Sequence, residues 1–176
     1  MKLLTVILLF VACAVCTNAQ PLPDLEKEKA ELLRLHKSDR EAHFKTDVDM
    51  LLERSPEEFI SVGRGKISRS GKADARKMFT GYFRDAKYYE WDDVEEPIIR
   101  ISNDASMAWM ITRTRVRRVQ KSADGAEKEE KFVYAGIMTY EKRDGRWLRV
   151  ANVSTSEPRS ALCADPYFFG QTNVKC

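Results

Sequence analysis

The spacing of apolar residues changes once along this chain, near Tyr88. Upstream, apolar positions recur at helical spacing. Behind a leader containing Pro21 and Pro23, Asp24 can cap a helix running to about Lys45. Leu25, Leu32, Leu33, Leu35, Ala42 and Phe44 fall on one broad arc of that helix. Thr46-Asp47 offers a fresh cap for a short helix over 48–53, which Ser55-Pro56 ends. Segments 59–62 and 66–67 flank Gly63-Arg64-Gly65 as a small hairpin. A third helix is expected over about 73–84, burying Ala75, Met78, Phe79, Tyr82 and Phe83.

From Tyr88 onward apolar and polar residues alternate, the signature of half-buried strands. Strands are predicted over 88–102 (disturbed at Pro97), 106–119, 131–142 and 146–156, with Asp144-Gly145 closing the last hairpin. Helices followed by antiparallel strands make an α+β domain. Pairing about Asp144-Gly145 puts Tyr134, Gly136, Met138, Tyr140, Trp147, Ala151 and Val153 on one face. Val133, Ala135, Ile137, Thr139, Leu148, Val150, Asn152 and Ser154 share the other. Both faces are apolar. One should cover the helices and the other should meet the tail or a partner, a homodimer through the sheet being the natural solution.

The ends change this picture by placing the chain outside the cytoplasm. Residues 1–19 read as a signal peptide: a positive start, an apolar run, then Thr17-Asn18-Ala19 before a cleavage point at Gln20. The run is short for a membrane span, so no integral membrane segment is expected in the mature chain. Phe10-Val11-Ala12-Cys13 is similar to a bacterial lipobox, which leaves a lipoprotein anchored at Cys13 as the alternative to secretion or periplasmic export. Residues 20–157 then form one domain, and 158–176 a tail. Cys163 and Cys176 are expected to pair there in an oxidising compartment, with free thiols or an intermolecular bridge as the alternatives.

Basic and acidic residues nearly balance, 30 against 27, which argues against a nucleic-acid binder. No CxxC or Cys/His spacing suggests zinc, and His36 and His43, whose spacing could place two ligands on one helix face, lack a third clear ligand, so no metal is expected. Gly63-Arg64-Gly65 is too short for a phosphate loop, and no cofactor is expected.

Four segments, DVDMLL at 47–52, EEFISV at 57–62, ASMAWMI at 105–111 and YEKRDGRW at 140–147, together carry a resemblance. In this order and spacing, the chain resembles the superfamily named for nuclear transport factor 2, in its SnoaL-like branch, over roughly residues 25–157. The resemblance implies a cone-shaped, strongly curved sheet wrapped around the long first helix, an α+β roll with an open apolar cavity, and frequent dimers. It also implies kinship with ketosteroid isomerase, scytalone dehydratase and polyketide cyclases, which place aspartate, histidine or tyrosine in that cavity. No histidine follows His43 here, whereas many relatives carry one on the final strand.

His36, Asp39 and His43 fall within the first helix's apolar arc. They are either satisfied polar groups or cavity-lining ones, and are the catalytic candidates if the protein is an enzyme. Trp109 and Tyr134 are chosen from the sheet aromatics as ligand-binding residues beside His36 and Asp39. Arg113, Arg115, Arg117 and Arg118 should pair with Glu127, Glu129 and Glu130 on the next strand rather than form an anion stripe. Asp92, Asp93, Glu95 and Glu96 read as a solvated edge. Asn152-Val153-Ser154 fits a glycosylation sequon but lies within a strand. The leading functional reading is a secreted domain binding a small, mostly apolar molecule. An isomerase-, dehydratase- or cyclase-type enzyme and a structural or interaction dimer with a filled cavity are the alternatives.

Overall fold

The computed structural model describes residues 22–63, 65–122 and 124–156. The expected signal peptide, the Cys13 anchor, the Cys163–Cys176 pairing and the tail lie outside them. Helix α1, Leu25–Lys45, starts where Asp24 accepts the Lys27 amide at 3.1 Å. It ends at Thr46, whose left-handed backbone (φ 50°) lets its amide reach the Ala42 and His43 carbonyls. Asp47 caps the short α2, Val48–Leu52, by accepting the Met50 amide. The hairpin is β1, Glu58–Gly63, with β2, Lys66–Gly71, and leads into α3, Lys72–Phe83. Then come β3, Ala86–Asp93; β4, Ile98–Ile101; β5, Met107–Lys121; β6, Glu127–Arg143; and β7, Arg146–Ser156.

These strands form one sheet in the order β2-β1-β7-β6-β5-β3, with β4 also on β5 beyond β3. The expected continuous strand over 88–102 is therefore two strands. Pro97 cannot donate to a ladder, and the chain breaks over residues 94–97 before re-pairing at Ile98. All neighbours pair antiparallel except β1 and β7, which run parallel through Ile60–Ala151 and Val62–Val153. Helix α1 lies on the inner face. Two apolar clusters hold it there: Leu32 and Leu35 with Met110, Tyr140 and Trp147, and Ala42 with Phe83, Tyr88, Trp91 and Val116. Leu25, Phe44 and Met78, which helical spacing assigned to buried faces, remain exposed.

The assignment of faces holds on β6 and fails along the second half of β7. Tyr140 pairs with Arg149 but Thr139 pairs with Ala151, so Val150 is an extra residue in β7. Such a β-bulge reverses the alternation beyond it. Trp147 and Arg149 therefore point inward, as expected of their parity. Ala151 and Val153 point outward, and Asn152 joins Met138 inside.

Candidate functional site

Between the two apolar clusters the interior is polar. Asp39 reaches inward from the middle of α1 and accepts a 2.6 Å hydrogen bond from Arg149 Nη1 on β7. The same guanidinium approaches the Leu51 carbonyl at 3.4 Å, and the Arg149 amide donates to the Arg54 carbonyl at 2.9 Å. Arg149 thus ties β7 to α1, to α2 and to the segment after α2. Arg149 lies on the turn side of the Val150 bulge and keeps the inward parity of Trp147, while the bulge turns Val153 outward.

Burial raises the Asp39 carboxyl above its ordinary range, against the pull of Arg149 and His36. Burial works against charge on Arg149 as well, yet Asp39, Tyr140 and Tyr134 hold its affinity for a proton above the ordinary value. Tyr134 and Tyr140 face the pair from β6. Burial pushes the Tyr134 hydroxyl up to about 12 and the Tyr140 hydroxyl higher still, so both stay neutral. On the same inner face, Thr112 Oγ1 and Asn152 Oδ1 are buried and find no hydrogen-bond partner among the described residues. Orphaned buried oxygens of this kind call for a water or a ligand. A crevice lined by Leu35, Ser38, Met50, Leu51, Glu53, Arg54 and Tyr140 leads to the Asp39–Arg149 pair. Its free space is about 10 Å³, the room of roughly one water molecule.

The three α1 candidates separate. Asp39 is at the centre of the seam. His36 Nε2 bonds the Asp93 carboxylate at 2.8 Å and fastens α1 to β3, beside the Arg40–Asp92 pair at 2.7 Å. His43 is walled in by rings: it stacks on Trp91 at 3.5 Å and meets Phe83, Tyr88 and Tyr82 edge-on. Its Nδ1 bonds the Asp39 carbonyl at 2.7 Å, and burial lowers its pKa to about 4. Asp92 and Asp93, read as a solvated edge, are thus both engaged by α1.

Tyr134 is inside with Asp39, whereas Trp109 is on the opposite, outer face of the sheet, in register with Thr139 and Arg100. Two of the arginines pair with the next strand as expected, Arg117 with Glu129 at 3.5 Å and Arg118 with Glu130 at 2.8 Å, whereas Arg115 turns to Glu90 on β3 at 3.8 Å. Asn152, the acceptor residue of the sequon, lies within β7 with its side-chain oxygen buried. Arg149 is the residue that sequence reasoning missed. The available signal was its parity with Trp147, a charged group at an inward position of a strand.

The outer face has its own pattern. Ile67, Val62, Val153, Ile137, Ile111 and Ile98 are aligned across β2, β1, β7, β6, β5 and β4 in one register. Ile67 is 73% exposed, Ile98 47%, Val153 45% and Ile111 36%. The next row reads Arg69, Ile60, Ala151, Thr139, Trp109, Arg100, apolar in the middle with an arginine at each end.

No protein-family model and no curated protein matches the sequence. Solved structures do match in shape. An NTF2-like protein from Cytophaga hutchinsonii is 13% identical, with a TM-score of 0.59 over 74% of this chain and 98% of that one. A ketosteroid isomerase-like protein from Erwinia carotovora atroseptica is 14% identical, with a TM-score of 0.55 over 75% of this chain and 98% of its own. The association domain of C. elegans CaMKII is 13% identical, with a TM-score of 0.51 over 74% of this chain and 96% of that domain. At such identities the likeness is one of architecture, and in architecture this chain is a nuclear transport factor 2-like α+β roll.

Proposed function

We propose that this is a self-association domain, a homodimer formed through the outer face of the sheet. The observation that carries the reading is the aliphatic row of six residues on six strands, of which Ile67, Ile98, Val153 and Ile111 are exposed and Val62 and Ile137 half-buried. A soluble surface rarely exposes so continuous an apolar stripe without a partner. A second copy is the partner that fits. A two-fold axis through the row sets isoleucine and valine against isoleucine and valine. The charged outer residues near β3 are already matched within the chain, Arg115 with Glu90 and Arg117 with Glu129. The shape shared with a CaMKII association domain points the same way.

Ile111→Glu tests this by light scattering. The substitution puts a carboxylate at the middle of the row and should weaken association by about 2 kcal/mol or more, at least a 30-fold change in dissociation constant. Ile111 is already partly exposed, so the fold should persist. A wild-type protein that scatters as a monomer would remove the proposal.

A second reading rests on the orphaned Thr112 and Asn152 oxygens on the same inner face as the Asp39–Arg149 pair. These features support a small-molecule site on the inner face, reached through the crevice between α1 and α2. The molecule would have an apolar body against Leu35, Met50, Leu51 and Tyr140. With room for about one water at rest, α2 would have to give way on binding. An enzyme of the isomerase, dehydratase or cyclase kind would need this same site, with Asp39 as its proton carrier. Asp39→Asn should then abolish proton exchange on a bound carbonyl compound, and an unchanged rate would clear Asp39 of that role.

A further inference from the structure

We propose that the inner site recognises small carboxylates, and that a bound carboxylate takes the place of Asp39 on Arg149. This rests on the second reading, that the interior is a ligand site, and adds the chemical class of the ligand. Four observations carry it.

Arg149 is the guanidinium that β7 sends inward beside the crevice, at the inward parity it shares with Trp147. Its carboxylate bond runs through one nitrogen, Nη1, while Nη2 has only a long 3.4 Å contact with the Leu51 carbonyl. A guanidinium fork favours two parallel bonds to one carboxylate, so the resting arrangement leaves part of its capacity unused. The walls around it, Leu35, Met50, Leu51 and Tyr140, suit an apolar body attached to a single anionic group. Beyond the pair, Thr112 Oγ1 and Asn152 Oδ1 can accept or share hydrogen bonds from hydroxyls on that body.

The exchange has a charge balance. An arriving carboxylate that neutralises Arg149 leaves the Asp39 carboxylate inside without its cation. The other groups around Asp39 are His36 on α1, Tyr134 and Tyr140 on β6, and Glu53 and Arg54 after α2. A buried unpaired carboxylate is strongly disfavoured, so Asp39 takes up a proton as the ligand binds. The burial that already raises Asp39 favours this step. Binding therefore consumes one proton and weakens as pH rises.

Isothermal titration of the full chain with butyrate and benzoate, and with butyramide and benzamide, tests the exchange at pH 6 and pH 8. The acids should bind and the amides should not. Affinity for the acids should fall between pH 6 and pH 8, and buffers of different ionisation enthalpy should report about one proton taken up per acid bound. Asp39→Asn should bind the acids at least ten-fold tighter, without proton uptake, because Arg149 is already released. Arg149→Met should lose the acids.

Amides binding as well as acids would overturn the carboxylate inference and leave the interior site standing. So would acid binding without proton uptake, which needs only the wild-type protein. Failure of every probe, on both wild type and Asp39→Asn, would remove the interior site and this inference together.

Discussion

His43 shows how one buried side chain sets a pH dependence. It is neutral in the fold, its pKa lowered to about 4 by burial among four rings, against an ordinary value of 6.5. The unfolded chain therefore binds a proton that the folded chain does not, between those two values. Stability contributed this way is complete above pH 6.5 and is lost as pH falls toward 4. The loss expected from His43 is about 3 kcal/mol, at roughly 1.4 kcal/mol per unit. Asp39 acts in the opposite sense, since its raised carboxyl is relieved by protonation. Urea unfolding at pH 7 and at pH 4.5, compared between wild type and His43→Phe, isolates the first effect. His43→Phe should show a shallower loss in acid, and an unchanged pH profile would mean that His43 is not neutral in the fold.

The Asp39–Arg149 pair makes a second prediction at this scale. Removing Arg149 leaves Asp39 shielded from water without its cation, to stay charged at a cost or to take up a proton, so Arg149→Met alone should cost about 3 kcal/mol. Both side chains keep some contact with solvent, at 16% and 23%, which puts the cost at the low end for such pairs. Replacing both, as Asp39→Leu with Arg149→Met, should recover most of it, and denaturant unfolding of the three variants measures the difference.

At the scale of elements, the chain's patterning announced most of the fold. Asp24 and Asp47 cap the two helices they were expected to cap, and the Asp144-Gly145 turn joins β6 to β7. Three features were not legible. The break at Pro97 was visible as a disturbance, but an edge strand with a bulge and two separate strands predict the same local sequence. The parallel contact between β1 and β7 joins segments some ninety residues apart, which alternation cannot report. The Val150 bulge has no marker of its own. Valine pairs as well as any residue in a regular strand, so strict alternation carried past it and turned Ala151, Val153, Asn152 and Ser154 over. That single residue is why the outer apolar row and the inward Asn152 emerged only from the structure.

The curvature near this bulge also constrains Gly136. A Cβ there would stand 2.9 Å from the Val153 carbonyl oxygen, a backbone atom that cannot swing away. Gly136→Ala should therefore cost about 1–3 kcal/mol by denaturant unfolding, through displacement of β7 from β6. Full stability in that variant would mean that the two strands lie further apart than described.

For the molecule as a whole, the sheet divides the chemistry. The inner face holds α1 through two apolar clusters with a polar seam between them, and the outer face holds an aliphatic row that nothing in the described chain covers. Of the candidate residues, Asp39 and Tyr134 lie on the inner side, and Trp109, chosen with Tyr134 from the sheet aromatics, could not be told from it before the registers were known. Trp109 belongs to the outer face instead, one row from Ile111. The residues that make the face apolar were all present in the sequence. Their alignment across six strands depends on registers that only the assembled sheet fixes.

The most direct test of the central claim is sedimentation velocity of the protein over a dilution series. The outer-face account predicts a two-fold-symmetric dimer that dissociates on dilution into a folded monomer, with the same monomer obtained from Ile111→Glu at every concentration. A wild-type protein that sediments as a monomer throughout the series, or an Ile111→Glu protein that dimerises as tightly as the wild type, would contradict it.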